Sequence, residues 1–133
     1  MRIQMIAIGS TGDVQPMTVL GRELAARGHQ VSIAAFSALE PLVKASGLSF
    51  LPLPGDAHRY IGNIIRPGSN PLTYLSRLEE VLSGVLTSLL DTVYDALRHA
   101  DAAVATFFGT PFYAMADHLG IPLIETNYCL TDC

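Results

Sequence analysis

The sequence is short of several things: it has no tryptophan, one lysine and two cysteines in 133 residues, and only 15% of it is charged. Each shortage excludes something. A nucleic-acid surface needs clustered Lys and Arg to neutralise phosphates. Here Lys44 stands alone, the arginines are scattered singly, and the net charge is -4. Cys129 and Cys133 lie together near the end and read as free thiols of a reducing compartment. The four histidines are dispersed, with no ligand spacing around them, so no metal site is expected. Long apolar runs are missing as well. The run Ile3 to Ile8 is too short for a signal-peptide core. The stretch Ala102 to Ala116 is broken by Gly109 and Pro111, and falls short of the roughly 20 residues a spanning helix needs.

What is present is apolar: half of the residues are hydrophobic, which suits one domain with a core of its own. The order of elements reads from the amino terminus. "RIQMIAI" is a buried-strand pattern, and "MTVLGRELAARG" sets Val19, Leu20, Leu24 and Ala25 at helical spacing before a stop at Gly28. "HQVSIAAF" is a second strand, "ALEPLVKASG" a short helix ending at Gly47, and "LSFLPL" a third strand. Pro54 to Pro71 is rich in turn residues and reads as a long surface loop. From Leu72 to about His99, Leu75, Leu78, Leu82, Val85, Leu89, Val93 and Leu97 recur in steps of three and four. Glu79, Glu80, Asp91 and Asp95 fall off that face. "DAAVATFF" and "IPLIETN" are further strands, joined by the helix "PFYAMADHLG". Strands separated by helices predict an α/β fold with a doubly wound, mostly parallel Rossmann-like sheet. Ligands of such sheets bind beyond the carboxyl ends of the strands. The loops at Gly9 to Gln15, Phe36 to Ser37, Pro54 to Pro71, Thr106 to Thr110 and Thr126 onward are expected to meet there.

The first of these loops, "GSTGDVQP", has the shape of a phosphate cradle but not its chemistry. In the G-x-x-G-x-x-G form of the dinucleotide fingerprint, Gly9 and Gly12 fit and Gln15 replaces the last glycine. "AAFSAL" follows the second strand, without the acid that would hold a ribose hydroxyl. No P-loop lysine follows the glycines, and Asp13 would repel a pyrophosphate at the helix amino terminus. Two readings of Asp13 stay open. It is an N-cap, contributing about 1 kcal/mol, with Pro16 in the first turn. Or it is a carboxylate at the floor of the cleft, aimed at a ligand hydroxyl.

Four segments in order carry a resemblance: "GSTGDVQP", "LGRELAARGHQV", "GLSFLPLPGD" and "ADHLGIP". Together they resemble the amino-terminal half of GT-B glycosyltransferases, in the branch of the sterol and lipid glucosyltransferases and the antibiotic-aglycone glycosyltransferases. The resemblance implies one acceptor-binding domain over residues 1–133 of an inverting enzyme. Such an enzyme moves a hexose from a nucleotide-diphosphate sugar to a hydroxyl of a hydrophobic sterol, lipid or polyketide or peptide aglycone. It implies Asp13 as general base, Gly9 and Gly12 as shapers of the loop, and Ser10, Thr11 and Gln15 as substrate contacts. The nucleotide sugar is a co-substrate, held mainly by a carboxy-terminal domain this chain lacks, and no cofactor is implied. The domain reads as cut short at "NYCLTDC", so a donor-binding domain or second chain is the expected partner. Without it the chain is expected to be inactive, and to self-associate through the apolar surface left along the cleft.

His58 and Tyr60 in the long loop, with Phe107 and Phe108 after the fourth strand, are the candidate acceptor walls, together with Phe112 and Tyr113. His29, His99 and His118 read as helix-end or helix-surface residues. The expected location is the cytoplasm, peripheral at membranes where the acceptor is a lipid. Two other classes stay open on the residues alone: a free-standing nucleotide-binding domain, and a non-catalytic α/β binding or interaction module.

Overall fold

A computed structural model describes residues 1–8, 11–54, 87–106 and 110–126. Five strands lie in one sheet: β1 (Arg2–Ile6), β2 (Gln30–Phe36), β3 (Ser49–Leu53), β4 (Ala102–Thr106) and β5 (Leu123–Thr126). Their order is β3-β2-β1-β4-β5, and every pairing is parallel. The chain runs outward from β1 to β3, then returns to the other side of β1 as β4. The reversal leaves a switch point between β1 and β4, where doubly wound sheets open a crevice.

Alternation along the strands divides the interior in two. Ile3, Met5 and Ala7 of the first strand segment, with Val31, Ile33, Ala35 and Val104, face one side. There they meet Val14 and Met17 of α1 (Thr11–Ala26) and Val43 of α2 (Glu40–Ala45). Ile6, Ala34, Leu53, Ala103 and Ala105 face the other side. Val93 and Leu97 of α3 (described over 87–98) cover them, with Phe112 of α4 (Thr110–Leu119). The central strands are apolar on both faces because helices cover both. Pro52 sits inside β3, which the edge position allows, since only β2 needs its main-chain partners.

The helix stops lie where glycine predicts them. Past α1, Gly28 takes φ 93°, its N–H donates to Ala25 and that of His29 to Leu24. Gly120 repeats the arrangement past α4, at φ 69°, with bonds from Gly120 to Asp117 and from Ile121 to Ala116. These paired bonds satisfy carbonyls that the helix end would otherwise leave unmade.

The start of α1 differs from expectation. The helix begins at Thr11 and includes Pro16, so Asp13 lies within the first turn and is not the N-cap. Pro16 removes the bond that would reach the Gly12 carbonyl, and a residue before proline is biased away from helix. Val14 and Met17 are both fully buried, and their packing holds the segment helical through Gln15. The buried face of α1 is also turned from the expected one: it carries Val14, Met17, Thr18 and Gly21. Leu20 and Leu24 pack at its margin, Ala25 is exposed, and Val19 is 65% exposed. Gly21 explains the turn, since a residue without a Cβ lets that side of the helix approach the sheet most closely.

Candidate functional site

Each residue of the switch point is set there by its element. Main-chain pairing carries β1 past Ile6 on one side, where Ala7 N–H donates to the Ala34 carbonyl at 2.9 Å. On the other side a side chain takes over. Thr106, the last residue of β4, accepts from Ile8 N–H at 3.2 Å, and its hydroxyl lies 3.4 Å from the Ile8 carbonyl as donor. Thr106 is 4% exposed, so this hydroxyl is spent on the first loop and not on water.

Asp13 stands five residues beyond Ile8, partly exposed, in the first turn of α1. Met17 is four residues further on and therefore on the same face of the helix. Its sulfur lies 3.7 Å from the hydroxyl of Thr126, the last residue of β5, which also donates to the Ala105 carbonyl at 3.3 Å. Thr126 and Thr106 are partners in register. Helical spacing thus carries Asp13 one turn above a contact with the carboxyl end of β5, on the side of the sheet where α1 packs. Thr11 and Gly12 are exposed beside it, and Gln15 is exposed while its carbonyl accepts from Thr18 Oγ1 at 2.6 Å. Helix amino termini attract anions through free N–H groups and the helix dipole. Here the protein supplies a carboxylate of its own at that position.

Gly9, Ser10, His58, Tyr60, Phe107 and Phe108 lie outside the described residues, as does the amino-terminal part of the expected long helix. Of the other expected walls, Phe112 is 2% exposed and packs with Ile6, Ala103 and Leu97. It is core, because its position in α4 faces the sheet. Tyr113, next to it, is 40% exposed and lies beside Glu125 of β5. Desolvation first, and then the hydrogen bond and charge of Glu125, raise the phenol above its ordinary range. It therefore remains a neutral donor at ordinary pH. His29 Nδ1 accepts from the amino-terminal ammonium at 3.3 Å, while His99 and His118 are exposed at helix ends, as their sequence positions suggest.

Sequence reasoning missed Thr106, Thr126 and Glu125. A signal was present: "AVAT" and "LIET" both end their strands in threonine, so both hydroxyls arrive at the same edge. A cavity of about 460 Å³ opens at the opposite, amino-terminal edge, among Arg2, Gln4, Ser32, Ser49 and His99. The buried Gln4 there already donates to the Met5 and Ser32 carbonyls. The switch point lies at the other edge of the sheet. Among the described residues no three His, Cys, Asp or Glu side chains gather as a metal site would require, and no helix is long and apolar enough to cross a membrane.

The all-parallel sheet in the order β3-β2-β1-β4-β5, with helices on both faces, defines a Rossmann-like α/β domain. Residues 3–126 match the glycosyltransferase family 28 N-terminal domain, and the chain belongs to that family. It is 32% identical over 121 residues to a sterol 3-beta-glucosyltransferase of Debaryomyces hansenii, covering 91% of this chain and 8% of that protein. It is 34% identical over 122 residues to the O-mycaminosyltylonolide 6-deoxyallosyltransferase of Streptomyces fradiae, covering 84% of this chain and 29% of that one. The crystal structure of SsfS6, a glycosyltransferase of Streptomyces sp. SF2575, superposes with a TM-score of 0.69 at 26% identity, over 96% of this chain and 39% of the other. The chain thus spans a minor part of the length of these relatives.

Proposed function

We propose that this domain binds the acceptor in an inverting glycosyl transfer. A hexose passes from a nucleoside-diphosphate sugar to the hydroxyl of a hydrophobic acceptor: a sterol, a lipid or a polyketide or peptide aglycone. The observation that carries the proposal is the placement of Asp13. A partly exposed carboxylate stands in the first turn of α1, just past the carboxyl end of β1, in a domain whose family transfers sugars. Relatives named for a sterol and for O-mycaminosyltylonolide support the hydrophobic acceptor.

On this reading the acceptor oxygen forms its bond to the anomeric carbon as the bond to the diphosphate breaks on the opposite face. The hydroxyl proton passes to Asp13, and the nucleoside diphosphate leaves with the electron pair. General-base assistance contributes about 10² to 10⁴-fold. Holding the two substrates in line contributes more, on the order of 7–11 kcal/mol. The donor sugar is held mainly by a further domain or chain, so residues 1–133 alone give no turnover.

Asp13→Asn tests the assignment in the enzyme completed by its donor-binding half. Asn keeps the side chain's shape and removes the proton acceptor. Turnover of a sterol or aglycone panel with labelled nucleotide sugar is expected to fall by about 10² to 10⁴-fold, with the melting temperature unchanged. Wild-type turnover in this variant would end the catalytic reading of the loop. Turnover by residues 1–133 alone would end the two-half reading.

A further inference from the structure

We infer that Thr106 is a positioning residue for Asp13, acting through Ile8; the inference rests on the function proposed above. Past Ile6, where the ladder with β4 ends, the main chain of β1 needs another partner on its β4 side. Up to Ile6 the partner is β4 itself, in the register Ile6 to Ala105. At Ile8 it is the Thr106 hydroxyl, which accepts from the amide at 3.2 Å and faces the carbonyl at 3.4 Å. One buried side chain thereby fixes both main-chain groups of the last residue before the glycine loop.

Ala7 is tied to β2, Ile8 to β4, and α1 begins at Thr11. Two anchors flank Asp13 along the chain. One is Ile8, held by Thr106, and the other is Met17, which lies one turn below Asp13 against Thr126. A buried hydroxyl at the first anchor holds direction as well as distance, because it bonds N–H and C=O at once. Valine has the same shape and neither bond. Serine keeps both.

The experiment has two arms. Hydrogen exchange on residues 1–133 reads the anchor itself. In Thr106→Val the Ile8 amide is expected to exchange about 3- to 10-fold faster, the span corresponding to one net hydrogen bond, while Met5 and Ile6 keep their rates. Thr106→Ser restores the Ile8 rate. In the enzyme completed by its donor-binding half, Thr106→Val is expected to lower kcat about 10-fold with the KM for nucleotide sugar unchanged, and Thr106→Ser to restore it. Thr106→Ala serves in place of valine where the latter does not fold. Wild-type kcat in Thr106→Val beside a lowered kcat in Asp13→Asn overturns the inference, as does a serine variant as impaired as valine. Wild-type kcat in both overturns the functional reading beneath it. An unchanged Ile8 exchange rate in Thr106→Val refutes the anchor whatever the kinetics show.

Discussion

Gly21 is the position where α1 touches the sheet, and adding one carbon there tests how the helix is seated. A Cβ built on Gly21 would lie 2.6 Å from Leu48 Cδ1, 3.1 Å from Met5 Sδ and 3.4 Å from Val31 Cγ1. Comfortable contact between such atoms is about 3.5–4.0 Å. Leu48 can give way, since its Cδ1 is the end of a flexible chain. Met5 is fully buried and has less freedom. Overpacking of this kind costs about 1–3 kcal/mol. Against it stands helix propensity, which favours Ala over Gly by about 0.8–1.0 kcal/mol in a helix interior. The steric effect wins, by about 1 kcal/mol, and the melting temperature of Gly21→Ala should fall by roughly 3–5 °C. Gly21→Val should lose more, because its branched atoms meet the same neighbours. Thermal and urea unfolding followed by circular dichroism measure both. An alanine variant more stable than wild type would refute the argument, since propensity alone predicts that result.

Two further perturbations follow from other causes. Gly28 has open space around its missing Cβ but takes φ 93°, so Gly28→Ala should cost roughly 1–2 kcal/mol through backbone conformation alone. Unfolding curves should then rank Gly28→Asn above Gly28→Ala, the reverse of a steric site. Asp101 accepts from the Arg2 amide at 2.7 Å and pairs with its guanidinium at 3.6 Å; the amide bond first and then the side chain hold its carboxyl below the ordinary value. A carboxyl lowered on folding stabilises above its unfolded pKa, about 3.9, and loses that contribution as pH falls through the folded value. The melting temperatures of wild type and Asp101→Asn should therefore differ by a constant amount above about pH 5 and converge in acid; a gap that widens in acid would contradict the assignment.

Much of this architecture was legible because its signals are local. The Ile- and Ala-rich strands, the stops at Gly28 and Gly47, and Val93 and Leu97 on the inner face of the third helix all lie where periodicity and turn chemistry put them. What failed depended on partners distant in sequence. Val19 reads as core by spacing, yet Gly21 meets Leu48 and Met5 so closely that α1 settles on the face of Val14, Met17 and Gly21. Phe112 reads as a cleft aromatic until α4 is seated on Ile6 and Leu97. The partner of the Thr106 hydroxyl was hidden for a similar reason, although its place at a strand end was not. Threonine is an ordinary strand residue, and only the parallel pairing with β1 gives its hydroxyl the Ile8 main chain as a partner. The candidate base itself was legible from the loop that carries it, but its seat within a helical turn was not, because proline three residues later argues against helix there.

That seat bears on why a loop built like a phosphate cradle should hold an acid. Free N–H groups at a helix amino terminus favour a negative charge, and in nucleotide-binding domains the ligand brings it. Asp13 brings the charge from within the protein, which disfavours a second anion at the same place. A neutral hydroxyl has no such conflict: it donates to the carboxylate and gains from the same field that steadies it. Under the proposed function, the loop is thus suited to the acceptor side of the transfer, and the diphosphate to cationic or amide groups free of a competing acid. On the proposed reading, Thr106 of β4 and Thr126 of β5 steady the first turns of α1 from two strands, the one through Ile8 and the other against Met17.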